Sequence, residues 1–420
     1  MPRVVVVADD LTGAADTGVP FAQLGMATRV VWDVARRPKA EVLALSTESR
    51  ECDRTEAAER VRHVAHVLAA DPEIDEQRPW IYKKVDSTLR GHPGTELYEL
   101  MEGMGAARAL VAPAFPSQGR TTSGGLHYVH GVPLANTAFG EEVPVSDVRV
   151  RFAGGLPARS IAHVPIAVVR EGVEAVVDTI DTLGFRVFVA DAEHDADLVC
   201  LARAACESQT RVLCGSAGLA HALAEVVSEE DVSGEYASDE GAVDTRRSEF
   251  DLPDWWGDGV LVVAASRHPV TVRQIEALER AGVTVVRPPL DWFLHDLEAD
   301  DPVVASLRYH LASAGAAVLT TQGLPDLPGK GVLLAEHLGR AVRTLFEGTC
   351  PAGLVLTGGA LAIAVCEALD AEALHLVGEV EAGIPWGHLV GGVLEGMPLV
   401  TKAGGFGEGD ALIAAVRRLE

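Results

Sequence analysis

The sequence predicts an α/β protein of two domains, each a mostly parallel sheet flanked by helices. Short apolar runs alternate with helical patterns along most of the chain, and one acidic segment interrupts that alternation. The length of 420 residues agrees with two domains, since a domain usually has roughly 100–200 residues. We therefore consider the two halves of the chain separately.

The first predicted domain, residues 1–228, repeats strand and helix. Apolar runs that predict buried strands lie at 4–8, 27–32, 42–46, 80–85 and 109–112. Helical patterns lie between several of these runs, and the same rhythm continues further along the chain. The helical patterns and the continuing segments are 55–70, 94–104, 185–191 and 211–227. Because strands separated by helices usually pair in parallel, we expect a mostly parallel sheet.

An acidic linker at 229–258 is the predicted domain boundary. It contains eleven acidic residues, two arginines and almost no aliphatic residues, a composition typical of a solvated linker. The second predicted domain, residues 259–420, resumes the alternation of strand and helix. Its apolar runs and helical patterns lie at 259–265, 270–282, 316–321, 331–347, 353–359 and 397–419.

The net charge of −26 limits the partners that the protein can bind. Nucleic acid and anionic membranes both attract basic surfaces, so we expect neither as a partner. No apolar run approaches the roughly 18 residues of a membrane span. The first apolar run is short and ends in aspartates, unlike a signal peptide. We expect a cytoplasmic protein, and a homodimer is left open.

Acids, hydroxyls and cations follow four predicted strands of the first domain. Ligands of open α/β sheets bind beyond the carboxyl ends of the strands, so we expect these side chains to line one site. Arg50, Arg90 and Arg120 suit a carboxylate, which a guanidinium binds through two parallel hydrogen bonds. The hydroxyls and carboxylates beside them suit a polyol, which together predicts a small hydroxylated acid as ligand. The alternative is that individual arginines pair with neighbouring aspartates.

The first strand is followed within eight residues by Asp9, Asp10, Thr12 and Asp16. A strand followed by Asp-x-Asp-x-Thr is typical of haloacid-dehalogenase phosphatases, but Leu11 stands two residues after Asp9 and breaks that spacing. A structural interpretation also exists, because aspartate and threonine commonly cap helix N-termini. Capping would not exclude a catalytic role for the same side chain.

Glycine-rich turns end two strands of the second domain, TGGA at 357–360 and KAGGFGEGD at 402–410. Glycine lets backbone N–H groups approach phosphate oxygens, and the N-terminus of a following helix adds partial positive charge. Neither turn matches GxxxxGK[ST] or GxGxxG. Two such turns in one domain, one of them preceded by Lys402, nevertheless predict a nucleotide-phosphate site. A third turn, GSAG at 215–218, is interpreted as mainly structural.

Several of these stretches resemble the four-carbon acid sugar kinase family, which includes 3-oxo-tetronate, threonate and erythronate kinases. The resemblance implies that the first domain binds an acid sugar and the second binds ATP. It also implies that phosphate passes to a hydroxyl in a cleft between the domains, where the active site would lie. The matching stretches run from one end of the chain to the other and are 8–18, 83–97, 113–134, 215–220, 357–359 and 402–412.

Two stretches of the second domain depart from the family pattern. The family usually has a Gly-Ser-x-Ser-type turn after the first strand of this domain, whereas AASRHPVT at 264–271 keeps only Ser266. The family's TGG is usually followed by an acid and threonine, whereas Ala360 and Leu361 stand here. These departures leave open the alternative of a divergent member that binds a hydroxy acid but has altered or lost phosphate transfer.

Phosphoryl transfer needs a proton acceptor near the attacking hydroxyl and groups that neutralise charge. We expect Asp10 to be the acceptor, with Asp9 and Asp16 orienting the hydroxyl or helping to hold Mg²⁺. The metal ligands themselves stay unassigned. The predicted acid-binding residues are Thr12, Arg50, Lys83, Lys84, Asp86, Ser87, Arg90 and Arg120. The predicted ATP-binding residues are Ser266, Gly358, Gly359, Ala360, Leu361, Lys402, Gly404 and Gly405.

Overall fold

A computed structural model of the protein describes residues 2–232, 257, 259–298, 300–347 and 351–420. The chain divides into two compact units, which are Met1–Ala35 with Lys39–Val243 and Arg36–Pro38 with Asp244–Glu420. Most of the predicted linker at 229–258 lies outside the described residues. The domain bounds drawn from the sequence therefore stay predictions.

The described part of the first unit is built on a parallel sheet. Its strands are β1 (Val4–Ala8), β2 (Thr28–Val31), β3 (Val42–Ser46), β4 (Trp80–Lys84), β5 (Ala109–Ala112), β6 (Arg120–Ser123), β7 (Leu126–Val129), β8 (Val132–Pro133), β9 (Ile161–Val164), β10 (Val187–Ala190) and β11 (Val212–Gly215). Its helices are α1 (Leu11–Gln23), α2 (Arg54–Ala69), α3 (Pro72–Gln77), α4 (Pro93–Gly103), α5 (Val148–Phe152), α6 (Ile166–Glu171), α7 (Val173–Thr182), α8 (Asp195–Glu207) and α9 (Ala217–Val232).

The main sheet of the first unit has the strand order β2-β3-β1-β4-β11-β5-β10-β9, and its neighbouring strands are parallel. The short strands β6, β7 and β8 form a separate antiparallel sheet. β1 lies between β3 and β4, and its sequence VVVVA is wholly buried. Valine suits this position because β-branched side chains favour strands and a strand covered on both faces needs a continuous apolar run.

The described part of the second unit is also built on a mostly parallel sheet. Its strands are β12 (Val260–Ala264), β13 (Thr284–Val286), β14 (Ala316–Thr320), β15 (Gly353–Thr357), β16 (Ala373–Glu381), β17 (Ile384–Val390) and β18 (Pro398–Lys402). Its helices are α10 (Pro269–Arg280), α11 (Pro302–Ala314), α12 (Gly331–Phe346), α13 (Gly359–Ala368) and α14 (Ala411–Leu419). The strand order is β13-β14-β12-β15-β18-β17-β16, parallel as far as β18 and antiparallel from β18 to β16.

The predicted α/β class and the mostly parallel sheets are confirmed. The apolar runs predicted as strands form strands, within a residue or two at their ends. The sequence did not reveal the β16–β17 hairpin, because glutamates, histidines and glycines dilute its apolar pattern. It also did not reveal the sheet of β6, β7 and β8, whose strands of two to four residues are too short to show a period.

In each unit the chain adds strands on one side of its first strand and then crosses to the other side. These first strands are β1 and β12. From β1 the chain continues to β2 and β3 on one side and then crosses to β4 on the other. From β12 it continues to β13 and β14 on one side and then crosses to β15 on the other. Ligands of open α/β sheets bind at the carboxyl ends of strands beside such a crossover. No helix among the described residues is long and apolar enough to span a membrane.

Candidate active site

Two aspartates follow β1, and one arginine binds both of them. Arg50 Nε and Nη2 donate to the Asp9 carboxylate at 2.9 and 2.6 Å. Arg50 Nη1 and Nη2 donate to the Asp10 carboxylate at 2.5 and 2.9 Å. Arg50 was predicted to bind the carboxylate of a ligand, but in this conformation its donors are occupied by the two aspartates. Instead, as the alternative interpretation allowed, Arg50 pairs with neighbouring aspartates and fixes their position.

The environments of the two aspartates differ. Burial raises the pKa of Asp10, the charge of Asp9 adds to that shift, and Arg50 offsets only part of it. Burial would also raise the pKa of Asp9, but Arg50 and the lysines at the end of β4 hold that pKa below its ordinary value. The Asp10 side chain is 22% exposed and that of Asp9 only 4%. Asp10 is thus the more accessible and the more basic carboxylate of the pair.

Asp10 also caps α1, as the structural interpretation predicted. Its Oδ1 accepts a hydrogen bond of 2.7 Å from the backbone N–H of Gly13. Thr12 lies buried in the same first turn of the helix. Asp16 lies six residues beyond Asp10, more than one turn further along the helix. Its charge contributes to raising the pKa of the buried Tyr82, although burial is the larger cause.

Glu48 supports the same turn, and the sequence analysis did not assign it a role. Its backbone has a φ of 48°, a conformation that costs an ordinary residue energy and marks a site worth attention. Its Oε1 accepts hydrogen bonds from Leu11 N–H at 2.8 Å and from Ser46 Oγ at 2.6 Å. Burial raises the pKa of Glu48. Its position just after β3, between the hydroxyl residues of STES, is a signal that could have identified it.

The two lysines at the end of β4 have different surroundings, because successive strand residues point to opposite faces. Lys83 has no exposed surface, and its ammonium pairs with Glu96 of α4 at 2.7 Å. The prediction that Lys83 binds substrate is not supported, since the side chain holds α4 against the sheet. Lys84 is only 5% exposed, yet its ammonium has no hydrogen-bond or ion-pair partner among the described residues.

The Lys84 ammonium lies beside the Asp10 cap. A Cβ added to Gly13 would lie 2.6 Å from Asp10 Oδ1 and 3.2 Å from Lys84 Nζ. Glycine at position 13 therefore lets the cation and the carboxylate approach the same turn. Lys84 remains available to an anionic ligand, whereas Lys83 does not.

Gly13→Ala should displace both the Asp10 carboxylate and the Lys84 ammonium. Because displacements near 1 Å can cost about 100-fold in rate, we expect kcat/KM for an acid of the kind that the sequence predicts to drop by at least about tenfold. Steady-state kinetics measures the effect. Gly184→Ala is the matched control, since a Cβ there would meet nothing within 4 Å. Unchanged kcat/KM in Gly13→Ala would contradict the conclusion that glycine is needed here for Lys84 and Asp10 to approach the same turn.

A further ion pair lies in the loop after β4. Arg90 Nη2 and Nε donate to the two oxygens of Asp86 at 2.9 and 3.0 Å. Burial opposes ionisation of Asp86, but the bonds from Arg90 and the charge of Arg50 keep its pKa well below the ordinary value. Arg120 donates to the carbonyl of Gln118, while its Nε is buried without a hydrogen-bond partner in the described part of the chain.

His127 of β7 holds the loop after β4 in place. Its Nε2 lies 2.8 Å from the carbonyl of Ser87, and its Nδ1 lies 3.1 Å from Thr122 Oγ1. Burial lowers the pKa of His127 to about 4, so the imidazole is neutral at physiological pH. The sequence left open whether the HYVHG stretch lines a site or an interface. The structure places His127 directly against Ser87, one of the predicted acid-binding residues.

In the second unit, three loops follow the adjacent strands β12, β15 and β18. A Cβ at Gly404 would lie 2.1 Å from Ser266 Oγ, so the first and third loops are in contact. Gly358 has a φ of 110° and donates its N–H to the Lys402 carbonyl at 2.8 Å, which joins the second loop to the third. The sequence-predicted nucleotide residues are therefore brought together at one sheet edge.

The N-terminus of α13 lies at this edge of the sheet and has no side-chain cap. Gly358 precedes the helix and no side chain caps it. The first N–H groups of a helix have no intrahelical acceptor and are suited to phosphate. Leu361 is 2% exposed and packs in the core, so the prediction that it contacts nucleotide does not hold for its side chain. Ala360 is exposed, as the prediction requires.

Comparison with known proteins gives the same division of roles. Residues 4–223 match the model of a sugar-binding N-terminal domain, and residues 261–412 match that of a nucleotide-binding C-terminal domain. The D-threonate kinase of Bordetella bronchiseptica is 35% identical over 407 residues, covering 92% of this chain and 90% of the relative. The chain belongs to the four-carbon acid sugar kinase family. This member is accordingly a sugar-acid kinase.

Other relatives of this sugar-acid kinase carry related names. The D-threonate kinase of Salmonella typhimurium is 31% identical, with 92% of this chain and 90% of the relative covered. The D-erythronate kinase of Heliobacterium modesticaldum is 28% identical, with 90% and 88% covered. A solved structure from Haemophilus influenzae has a TM-score of 0.75 at 19% identity, covering 99% of this chain and 100% of that one. At that identity the structural similarity shows the fold alone.

Proposed function

We propose that the protein transfers a phosphoryl group from ATP, with Mg²⁺, to a hydroxyl of a four-carbon sugar acid such as a tetronate or 3-oxo-tetronate. The observation that carries this proposal is Lys84, a residue only 5% exposed, whose ammonium lies beside Asp10 and forms no hydrogen bond or ion pair with the described residues. The charge of this ammonium already lowers the pKa values of Asp9 and Asp10, and its hydrogen-bonding capacity is available to an approaching anion. A nearby carboxylate with a raised pKa suits a proton acceptor.

The side chains of the first unit divide into two roles. Lys84 and Arg120 would neutralise the carboxylate of the acid, because each retains hydrogen-bonding capacity. Asp10 would accept the proton of the attacking hydroxyl, while Arg50 holds Asp10 and Asp9 in position. The names of the relatives, which are D-threonate, D-erythronate and 3-oxo-tetronate kinases, support a four-carbon acid as the substrate class.

The second unit would hold ATP mainly through its backbone. Ser266, the N-terminus of α13 and the glycine loop after β18 supply hydroxyl and N–H donors for phosphate oxygens. Among the described residues, no group of three or more His, Cys, Asp or Glu side chains is placed to hold a metal ion. Mg²⁺ would therefore be held largely by the phosphates of the nucleotide, a common arrangement for this ion.

An ADP-release assay tests the proposal with a panel of acids and matched polyols. D-threonate, D-erythronate and a 3-oxo-tetronate are compared with threitol and erythritol, which keep the hydroxyls and lack the carboxylate. We expect ADP release with at least one acid and little with either polyol. The reason is that only the acids can pair with Lys84.

Calorimetry with each acid separates the two ways in which the assay can fail. Acid binding without ADP release would favour the alternative of a member that has lost phosphate transfer. Equal ADP release with acids and polyols would contradict the assignment of Lys84 to a substrate carboxylate. Release that does not depend on any acid would contradict the substrate class.

A further inference from the structure

Lys402, the last residue of β18, points into its own loop rather than outward. Its ammonium donates to the carbonyls of Ala403, Phe406 and Gly404 at 2.9, 3.1 and 3.3 Å, and to Thr271 Oγ1 at 3.4 Å. The residue is 2% exposed. The sequence predicted that Lys402 contacts nucleotide, but a side chain so enclosed has its donors directed at protein oxygens.

Gln274 of α10 holds the rest of the same loop. Its Nε2 lies 3.1, 3.2 and 2.7 Å from the carbonyls of Phe406, Gly407 and Glu408. The side chain is completely buried. Thr271, one turn earlier on α10, donates its hydroxyl to the Gly404 carbonyl at 2.7 Å. Lys402 and α10 thus bind five carbonyls of one short glycine-rich loop from the inside.

The inward carbonyls determine where the loop's N–H groups point. In a trans peptide the C=O of one residue and the N–H of the next point in opposite directions. The N–H groups that follow the bound carbonyls must therefore point away from Lys402 and Gln274. One of these five donors, the N–H of Glu408, lies 3.4 Å from Glu381 Oε2. The other four, which belong to Gly404, Gly405, Gly407 and Gly409, have no acceptor among the described residues. Successive outward N–H groups of this kind form a concave anion site.

We propose that Lys402 is a positioning residue for nucleotide binding, whose buried ammonium draws the carbonyls of loop 403–408 inward and so presents its N–H groups to phosphate. The proposal rests on the function proposed above, since it assumes that the second unit binds ATP. It predicts that nucleotide affinity depends on the charge of a side chain that does not touch the nucleotide. A neutral amine has fewer hydrogens to donate and loses the charge assistance of each bond.

The surroundings of Lys402 make its charge sensitive to pH. Burial lowers the pKa of Lys402 to about 8, and Glu381 at the end of β16 opposes that shift. The other titratable groups at this loop are His268, against which Gly404 and Gly405 pack, and Glu408 and Asp410 in the loop itself. The affinity for nucleotide should therefore have its full value below about pH 8, where Lys402 is charged, and should decline above that pH.

Calorimetric titration of the full-length protein with ATP·Mg²⁺ and with ADP across this pH range tests the proposal. For the wild type we expect Kd to rise by up to about tenfold per pH unit above the pKa of Lys402. Lys402→Met should bind more weakly at neutral pH and show no pH dependence in this range. Gln274→Leu should weaken binding but keep the wild-type pH profile, because it leaves the ammonium in place. Lys39→Met, at a side chain that is 83% exposed, is the matched control.

The outcomes separate this inference from the proposed function. A wild-type protein that binds no nucleotide at any pH would contradict both. A wild type that binds nucleotide with the same pH profile as Lys402→Met would overturn the positioning role alone. Lys402→Arg gives a second variant, since it keeps a fixed charge and should bind without the decline at high pH. Circular dichroism and thermal unfolding of each variant show whether the second unit, which carries these substitutions, is folded.

Discussion

Asp10→Asn is expected to lower kcat by roughly 100- to 10,000-fold, the usual contribution of a positioned general base. Asparagine cannot accept the proton of the attacking hydroxyl. It caps a helix about as well as aspartate does, so the bond to Gly13 N–H and the start of α1 should survive. Initial rates of ADP release with saturating acid and ATP measure the change, and thermal unfolding shows whether stability is kept.

Asp53→Asn is the matched control for this variant. Asp53 also caps a helix, accepting from Thr55 N–H and Glu56 N–H at the start of α2, but it lies on the surface. The same chemical change there should leave kcat unaltered. Undiminished turnover in Asp10→Asn would remove Asp10 from the role of base and leave it a helix cap.

The pH profile gives a second test of the same role. A base must be deprotonated to act, so activity should rise with pH through the pKa of Asp10. Burial raises that pKa above its ordinary value of 3.8, with the charge of Asp9 adding to the shift. The acid limb of the wild-type kcat/KM profile should therefore lie above pH 3.8 and be absent from any residual activity of Asp10→Asn.

Much of the fold could be predicted because local sequence and tertiary position agree. The run VVVVA can hardly be anything but a strand buried on both faces, and the aspartate after it is a natural helix cap. Since the carboxyl ends of parallel strands meet at one edge, the polar residues after each run also indicated the candidate site. In the second unit, glycine-rich turns indicated the loops after β15 and β18, and the family resemblance indicated the loop after β12.

The direction of individual side chains could not be predicted in this way. Lys83 and Lys84 are adjacent and chemically identical, and they point to opposite faces of β4. Only the tertiary packing decides that α4 covers the face of Lys83, which therefore pairs with Glu96. Arg50 was predicted to bind a ligand, but it pairs instead with two aspartates that follow β1, about 40 residues earlier in the chain. Gln274 gave no signal at all, because a single glutamine within a helix looks like any surface residue until the loop it holds is seen.

Lys84→Met is expected to raise KM for the acid by roughly 10- to 150-fold, with a smaller effect on kcat. A hydrogen bond to a charged group contributes about 1.5–3 kcal/mol, and about 1.4 kcal/mol corresponds to a tenfold change in affinity. Methionine keeps much of the length and apolar surface of the stem, so the change removes mainly the charge. Steady-state kinetics with the acid and with threitol or erythritol measures it, and the variant should lose the preference for the acid.

The same variant should also move the acid limb of the pH profile. The charge of Lys84 lowers the pKa of Asp10, against the larger raising effect of burial. Without that charge the pKa of Asp10 rises further, so activity should begin at a higher pH than in the wild type. Lys39→Met removes an exposed ammonium and should change neither KM nor the limb. A raised KM with an unmoved limb would mean that Lys84 binds the acid without acting on Asp10, and an unchanged KM would contradict the substrate assignment itself.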